Sequence, residues 1–164
     1  GNGIEIYTDK PMTKWDKRDD GRIGGIVERL DLEQLAQLAR PDYTGLPDGA
    51  DLGHMHLHVG NLQETWAFYR DYLGLGNKFT MGASAIFMAT GDYHHHLGAN
   101  TWQGTGLAAP DEGEQGLRSY SWQASEQDLQ WIKDRLADGQ IAFAEDKAGI
   151  TFRDNSGITV KVTI

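Results

Sequence analysis

The chain has six histidines in two groups: His54, His56 and His58 at alternate positions, and His94, His95 and His96 in a row. A neutral imidazole nitrogen binds Fe, Zn, Cu or Ni. The ring also titrates near neutrality and moves protons. Two imidazoles joined by one carboxylate, with positions left open, make a centre for non-haem Fe(II) handling oxygen, or for Mn(II). Glu5, in the alternating stretch Ile4-Glu5-Ile6-Tyr7, is one of few carboxylates on a strand-like face. With no cysteine in the chain, disulfides and thiolate chemistry are excluded, and a metal has only His, Asp, Glu or water to bind it.

Gly53–Val59 reads as a strand with two faces. Side chains alternate across a strand, so His54, His56 and His58 share one face and Met55, Leu57 and Val59 the other. The apolar face suits a helix; the imidazole face suits a metal or acid–base site, or simply water. In the second group, alternation over a strand Tyr93–Ala99 sets His94 and His96 against His95.

The elements around these groups repeat. Asn61, with Glu64 three residues on, caps a helix with Leu62, Trp66, Tyr69 and Leu73 on one side, and Gly74 is placed to end it. Strands are expected at Asn77–Met81, Ala85–Ala89 and Tyr93–Ala99. After a Gly/Pro/acid-rich loop (104–114), Leu117–Gln123 is strand-like. Ser125 caps a second helix lined by Leu129, Ile132 and Leu136 and closed by Gly139. Ile141–Ala144, Gly149–Arg153 and Ile158–Ile164 follow as strands. The order β-α-β-β-β thus occurs twice, and Gly116 opens the second copy 63 residues after Gly53. Repeats of this kind decide the fold: an α+β class of tandem modules, 53–103 and 116–164, each a curved mixed sheet with one helix on its apolar side and its other side lining a cavity. Before them, 10–52 reads as a connection with one helix, capped by Asp31 and stopped by Pro41.

Composition is that of a globular domain, 39% hydrophobic and 24% charged with a net charge of −9. That charge disfavours nucleic acid and anionic membranes, and no apolar run approaches the roughly 20 residues of a membrane span. The lack of cysteine fits a cytoplasmic setting.

The doubled β-α-β-β-β unit resembles the vicinal oxygen chelate superfamily: glyoxalases, bleomycin- and fosfomycin-resistance proteins, and extradiol ring-cleaving dioxygenases. Gly53-His54-Met55-His56-Leu57-His58-Val59, Tyr93-His94-His95-His96-Leu97-Gly98 with Asn100-Thr101-Trp102, and the opening Gly-Asn-Gly-Ile-Glu-Ile-Tyr look like its catechol-2,3-dioxygenase-like branch. The resemblance implies four modules in a row: 1–9 would be the terminal strand of a preceding module, and 53–164 the third and fourth.

It also implies a metal held by a His early in a first strand, which His54 matches, and by a Glu four residues after the glycine of a final turn, which Glu5 matches relative to Gly1. In the last module Leu117 and Lys161 stand at those positions, so a second His ligand is expected from an absent N-terminal half. The reaction implied is extradiol cleavage of a small catechol-type aromatic by dioxygen, in aromatic catabolism. Fe(II) is the expected metal, with Mn(II), Zn or Ni as alternatives. His95 would be the acid–base residue, or His94 or His96 after a one-residue slip. His56, Trp102 and Tyr120 would lie against the substrate, and a missing half or a homodimer partner would complete the protein. A glyoxalase-like isomerase or lyase and a non-catalytic small-ligand-binding module of the same fold are the alternatives.

Overall fold

The computed structural model describes residues 3–25, 28–109, 111 and 113–164. The chain divides into two units, 1–53 and 54–164.

In the first unit, residues 3–10 carry no regular element, although Ile4 to Tyr7 alternate like a strand. Alternation alone does not make a strand, whose backbone groups need a ladder neighbour. The Gly-Asn-Gly turn expected here lies mostly outside the described residues. A 3-10 turn spans Met12–Lys14, and an isolated antiparallel bridge joins Lys17 to Ile23. The helix expected after Asp31 is α1 (Leu32–Leu38), whose first turn is capped by the Asp31 carboxylate accepting from the Gln34 amide at 2.9 Å.

The second unit contains both modules. The first runs β1 (Met55–His58), α2 (Leu62–Leu73), β2 (Gly76–Met81), β3 (Ala85–Ala89), β4 (Leu97–Asn100). The second runs β5 (Ser119–Gln123), α3 (Glu126–Asp138), β6 (Phe143–Asp146), β7 (Gly149–Arg153), β8 (Thr159–Thr163). Each forms a four-stranded mixed sheet of the same topology, β1-β4-β3-β2 and β5-β8-β7-β6. In both, the first strand lies at an edge and runs parallel to the last, and the other ladders are antiparallel.

The helices form where the sequence signals them. The Asn61 side-chain oxygen accepts from the amides of Gln63 (3.0 Å) and Glu64 (3.1 Å). The reciprocal arm runs from the Asn61 amide group to Glu64 Oε1 at 2.8 Å. Gly74 ends α2 at φ 70°, a left-handed conformation that costs glycine little. Ser125 Oγ caps α3 by accepting from the Asp128 amide at 3.1 Å.

One core runs beneath both sheets. Leu57, Val59, Phe68, Tyr69, Leu73, Ile86, Met88 and Leu97 of the first module are continuous with Tyr120, Leu129, Ile132, Leu136, Ile150, Phe152, Val160 and Val162 of the second. Its polar members form a clamp between the modules. Tyr69 of α2 donates to Asp154 Oδ2 at 2.6 Å, and its oxygen is hydrogen-bonded to the Tyr120 hydroxyl of β5. Asp154 sits in the β7–β8 turn and also accepts from the amides of Ser156 and Ile158 at 2.9 and 2.8 Å. Burial raises the pKa of all three groups. Among the described residues no helix is long and apolar enough to cross a membrane.

Candidate functional site

The site lies on the side of the first sheet away from α2. In β1, Leu57 and Val59 are buried at 3% and 1% exposure, while His56 and His58 are exposed. The period-2 reading of this strand therefore holds. The second histidine group leads into β4, which begins at Leu97: the His96 N–H donates to the Met88 carbonyl at 2.8 Å and its carbonyl accepts from the Met55 N–H at 3.0 Å, and His94 and His95 lie in the bend just before it.

That bend brings the two histidine groups together. The His54 and His95 rings lie 4.3 Å apart. His95 also meets Phe87 edge-on at 5.0 Å, and its Nδ1 is 2.8 Å from His94 Nδ1, so one of those nitrogens donates and the other accepts. Tyr93 packs on both His94 and His96, at 4.1 and 4.9 Å. His96 turns toward the second module, where it meets Trp122 edge-on at 6.1 Å. His56 lies between Phe87 and Trp102, at 5.6 and 5.5 Å. The result is an aromatic and imidazole surface on β1, β3 and the approach to β4.

Two of these rings are held neutral. Burial, then the neighbouring imidazoles led by His54, pushes the His95 pKa down to about 3. His96 is lowered by burial, then by His94 and Lys78. At neutral pH His95 carries no charge; it accepts a hydrogen bond, and any proton it takes it gives up readily.

The remaining residues expected at the site are placed as follows. Trp102 is 55% exposed beside His56. Tyr120 stands apart from the imidazoles, 8% exposed in the core with its hydroxyl committed to Tyr69. Glu5 belongs to the other unit, where it is exposed. Leu117 packs against the core. Lys161 is exposed on β8, in ladder register with Ser121 and Thr151.

Asn100 is the residue the sequence pattern passes over. It is 1% exposed and bonds both His56 and His58 at 2.7 Å. The β1–β4 register sets His58 opposite Asn100 and His56 opposite Gly98. A buried Asn at a strand end, among residues otherwise read as apolar, was the available signal.

A metal centre needs convergent ligands. Among the described residues, no group of three His, Asp or Glu side chains is placed to hold one ion. His54, His94 and His95 are neighbours, but the His94 and His95 nitrogens face each other. The second module offers Lys161, a cation that would repel a metal. The described residues of the 54–164 unit do not come together as a complete two-imidazole, one-carboxylate centre.

No protein-family model matches the chain. It is 39% identical over 125 residues to the catechol-2,3-dioxygenase of Bacillus subtilis (strain 168), a match covering 74% of this chain and 43% of that protein. The chain thus spans less than half the length of this relative. Among solved structures, a glyoxalase/dioxygenase from Nostoc punctiforme matches 74% of this chain and 98% of its own at TM-score 0.58 and 16% identity. Lactoylglutathione lyase from Agrobacterium tumefaciens matches 72% and 95% at TM-score 0.52 and 22% identity. A Listeria monocytogenes fosfomycin resistance protein, crystallised with Mn(II), matches 70% and 89% at TM-score 0.52 and 14% identity. At these identities the structures speak for the fold.

Proposed function

The chain belongs to the vicinal oxygen chelate superfamily, and from that premise we propose that it serves extradiol ring cleavage: a catechol-type aromatic is opened beside its two hydroxyls by dioxygen, both oxygen atoms entering the product. The observation that carries this reading is the 39% identity to a catechol-2,3-dioxygenase. The imidazole surface of the first module supports it with suitable chemistry.

On this reading the chain works as part of a longer protein or against a second copy. The ion that ring cleavage requires, Fe(II) by preference, draws part of its ligand set from outside the 54–164 unit, with Glu5 and His54 as this chain's contributions. The described residues that come together do not complete its site. What they supply is a surface and a proton route. Phe87, His56 and Trp102 give a flat aromatic ligand faces and edges to pack on. Neutral His95 takes a ring hydroxyl proton and returns it to the opened product.

One experiment tests the proposal. The longer protein is loaded anaerobically with Fe(II), given catechol, then opened to air. A yellow ring-fission product is expected; product from the 164-residue chain alone would favour the second copy over the longer protein as the source of the remaining ligands. No product from the iron-loaded longer protein would sink the reading. Replacing Glu5 with Gln in the longer protein should abolish iron binding; unchanged iron content rules out its assignment.

Two features favour a second reading, a module that binds a small aromatic ligand without metal: Leu117 and Lys161 at the last module's histidine and carboxylate positions. Catechol binding unaltered by chelator, with no oxygen uptake, would establish it.

A further inference from the structure

The hydrogen bonds around Asn100 determine where the protons sit on two histidines. The Trp102 backbone N–H donates to Asn100 Oδ1 at 3.0 Å. A backbone N–H is only a donor, so this contact fixes which end of the amide is oxygen. The same Oδ1 lies 2.7 Å from His58 Nδ1. An amide oxygen is only an acceptor, so His58 donates from Nδ1. The other end, Asn100 Nδ2, is only a donor and lies 2.7 Å from His56 Nε2. His56 therefore accepts at Nε2, and in its neutral form carries its proton on Nδ1.

Backbone packing prevents the alternatives. Asn100 is 1% exposed, so flipping its amide would set the Trp102 N–H against an NH2 group in a buried place, at a cost of about 1–3 kcal/mol. The His56 ring lies against Gly98, where an added Cβ would come within 2.7 Å of Nδ1. Only a glycine opposite His56 leaves room for the ring in this position.

We infer that Asn100 is a positioning residue that sets the tautomers of His56 and His58, and that His58 thereby presents an unprotonated Nε2 on the open face of β1 as the acceptor for a ligand O–H. Alternation alone sets His56 and His58 on the same strand face. Asn100 makes them unlike: His56 has its Nε2 lone pair consumed by the amide, whereas His58 has only Nδ1 engaged by it. An imidazole whose Nδ1–H is held by an oxygen is thereby fixed in tautomer and orientation. The chemical partner that fits His58 Nε2 is an acidic hydroxyl, as on a phenol or catechol. The ligand half of this inference rests on the aromatic-diol reading above; the tautomer half does not.

The test is two-bond 1H–15N NMR on the 164-residue chain labelled with 15N-histidine, at about pH 8.5, where ordinary imidazoles are neutral. In the wild-type chain, His56 and His58 are each expected to show a protonated Nδ1 and a bare Nε2. Asn100→Asp replaces the Nδ2 donor with an acceptor oxygen. His56 should then gain a proton on Nε2 while His58 keeps the wild-type pattern. Asn100→Leu should release both rings to mixed tautomers. A wild-type His56 protonated on Nε2, or an Asn100→Asp chain in which His56 is unchanged, would overturn the assignment.

Catechol titrated into the same sample should then shift His58 Nε2 alone among the bare nitrogens of these two rings, and the shift should vanish in His58→Phe. No change at His58 Nε2 up to saturation or solubility overturns the acceptor role. These readouts are independent of ring cleavage, which the iron-loaded longer protein reports through its product.

Discussion

The two modules share strand order, ladder directions, a side-chain-capped helix and one continuous core, yet their open faces have little in common. The first presents His54, His56 and His58 on and beside β1, with Gly98 and Asn100 next to them. The second presents Ser119, Ser121 and Gln123 on β5, with Thr159, Lys161 and Thr163 beside them. The period of a strand is two, so the residues that pack under the helix and those that face outward are separate sets. One set is apolar in both modules, while the other carries imidazoles in the first and hydroxyls, an amide and an ammonium in the second. The shared fold thus rests on the first set, and the modules differ in the second.

The largest expected effect tests the imidazole face itself. In the iron-loaded longer protein, His95→Phe should lower catechol turnover roughly a hundred- to ten-thousand-fold with iron content unchanged. Wild-type turnover would remove His95 from the chemistry and blur the contrast between the faces. On the helix side, Leu136 is fully buried in the second module. Leu136→Ala should cost about 2–5 kcal/mol in urea unfolding of the chain. Because the core is continuous, both modules should unfold in one transition; two separate transitions would show them to be independent.

Acid should reveal a cost specific to the first face. The folded chain holds His95 neutral down to about pH 3, whereas an unfolded imidazole protonates near 6.5. The unfolded state therefore binds more protons between these values, and folding stability falls as pH drops through that window. At about 1.4 kcal/mol per unit, the contribution amounts to a few kcal/mol. It should appear as the difference in pH dependence between wild type and His95→Phe; parallel curves would exclude it.

A smaller effect tests the clamp between the modules. Tyr69→Phe strips Asp154 and Tyr120 of their shared partner in a buried place, at a cost of about 1–3 kcal/mol. The smallest belongs to the second open face: Lys161→Ala, at an exposed position, should change stability by no more than about 0.5 kcal/mol. A larger loss would show that face to carry structure as well.

Much of this contrast was legible in the chain. Asn61, Ser125 and Gly74 punctuate the helices because caps act locally, through residues within one turn. Leu57 and Val59 against His56 and His58 could be read from alternation alone. The limits of the strand expected over Tyr93–Ala99 could not be placed correctly, because they are set by ladder partners; β4 begins at Leu97, with His96 hydrogen-bonded to Met88 and Met55 at its entry and His94 and His95 in the bend before it. Tyr120 and Asp154 are the same kind of case. A tyrosine on a strand and an aspartate in a turn have ordinary local roles, and only the docking of α2 across the modules brings Tyr69 to both. Asn100 depends on a register between strands 42 residues apart in sequence, which no local pattern encodes.

The parallel pairing of each module's first and last strands carries an evolutionary consequence. Parallel neighbours enter at one end of a sheet and leave at the other, so the chain exits β4 at the end opposite to where β1 began. The described part of the connection that follows β4 is fastened to the first module where the Gly106 amide donates to the Gly60 carbonyl at 2.7 Å. A strand rises about 3.3 Å per residue, so this segment has length to spare. A gene encoding one module can thus be duplicated head to tail with a loose spacer between copies and no ladder redesigned. Once duplicated, each copy's outward face is free to drift to new chemistry while the shared core keeps the pair together.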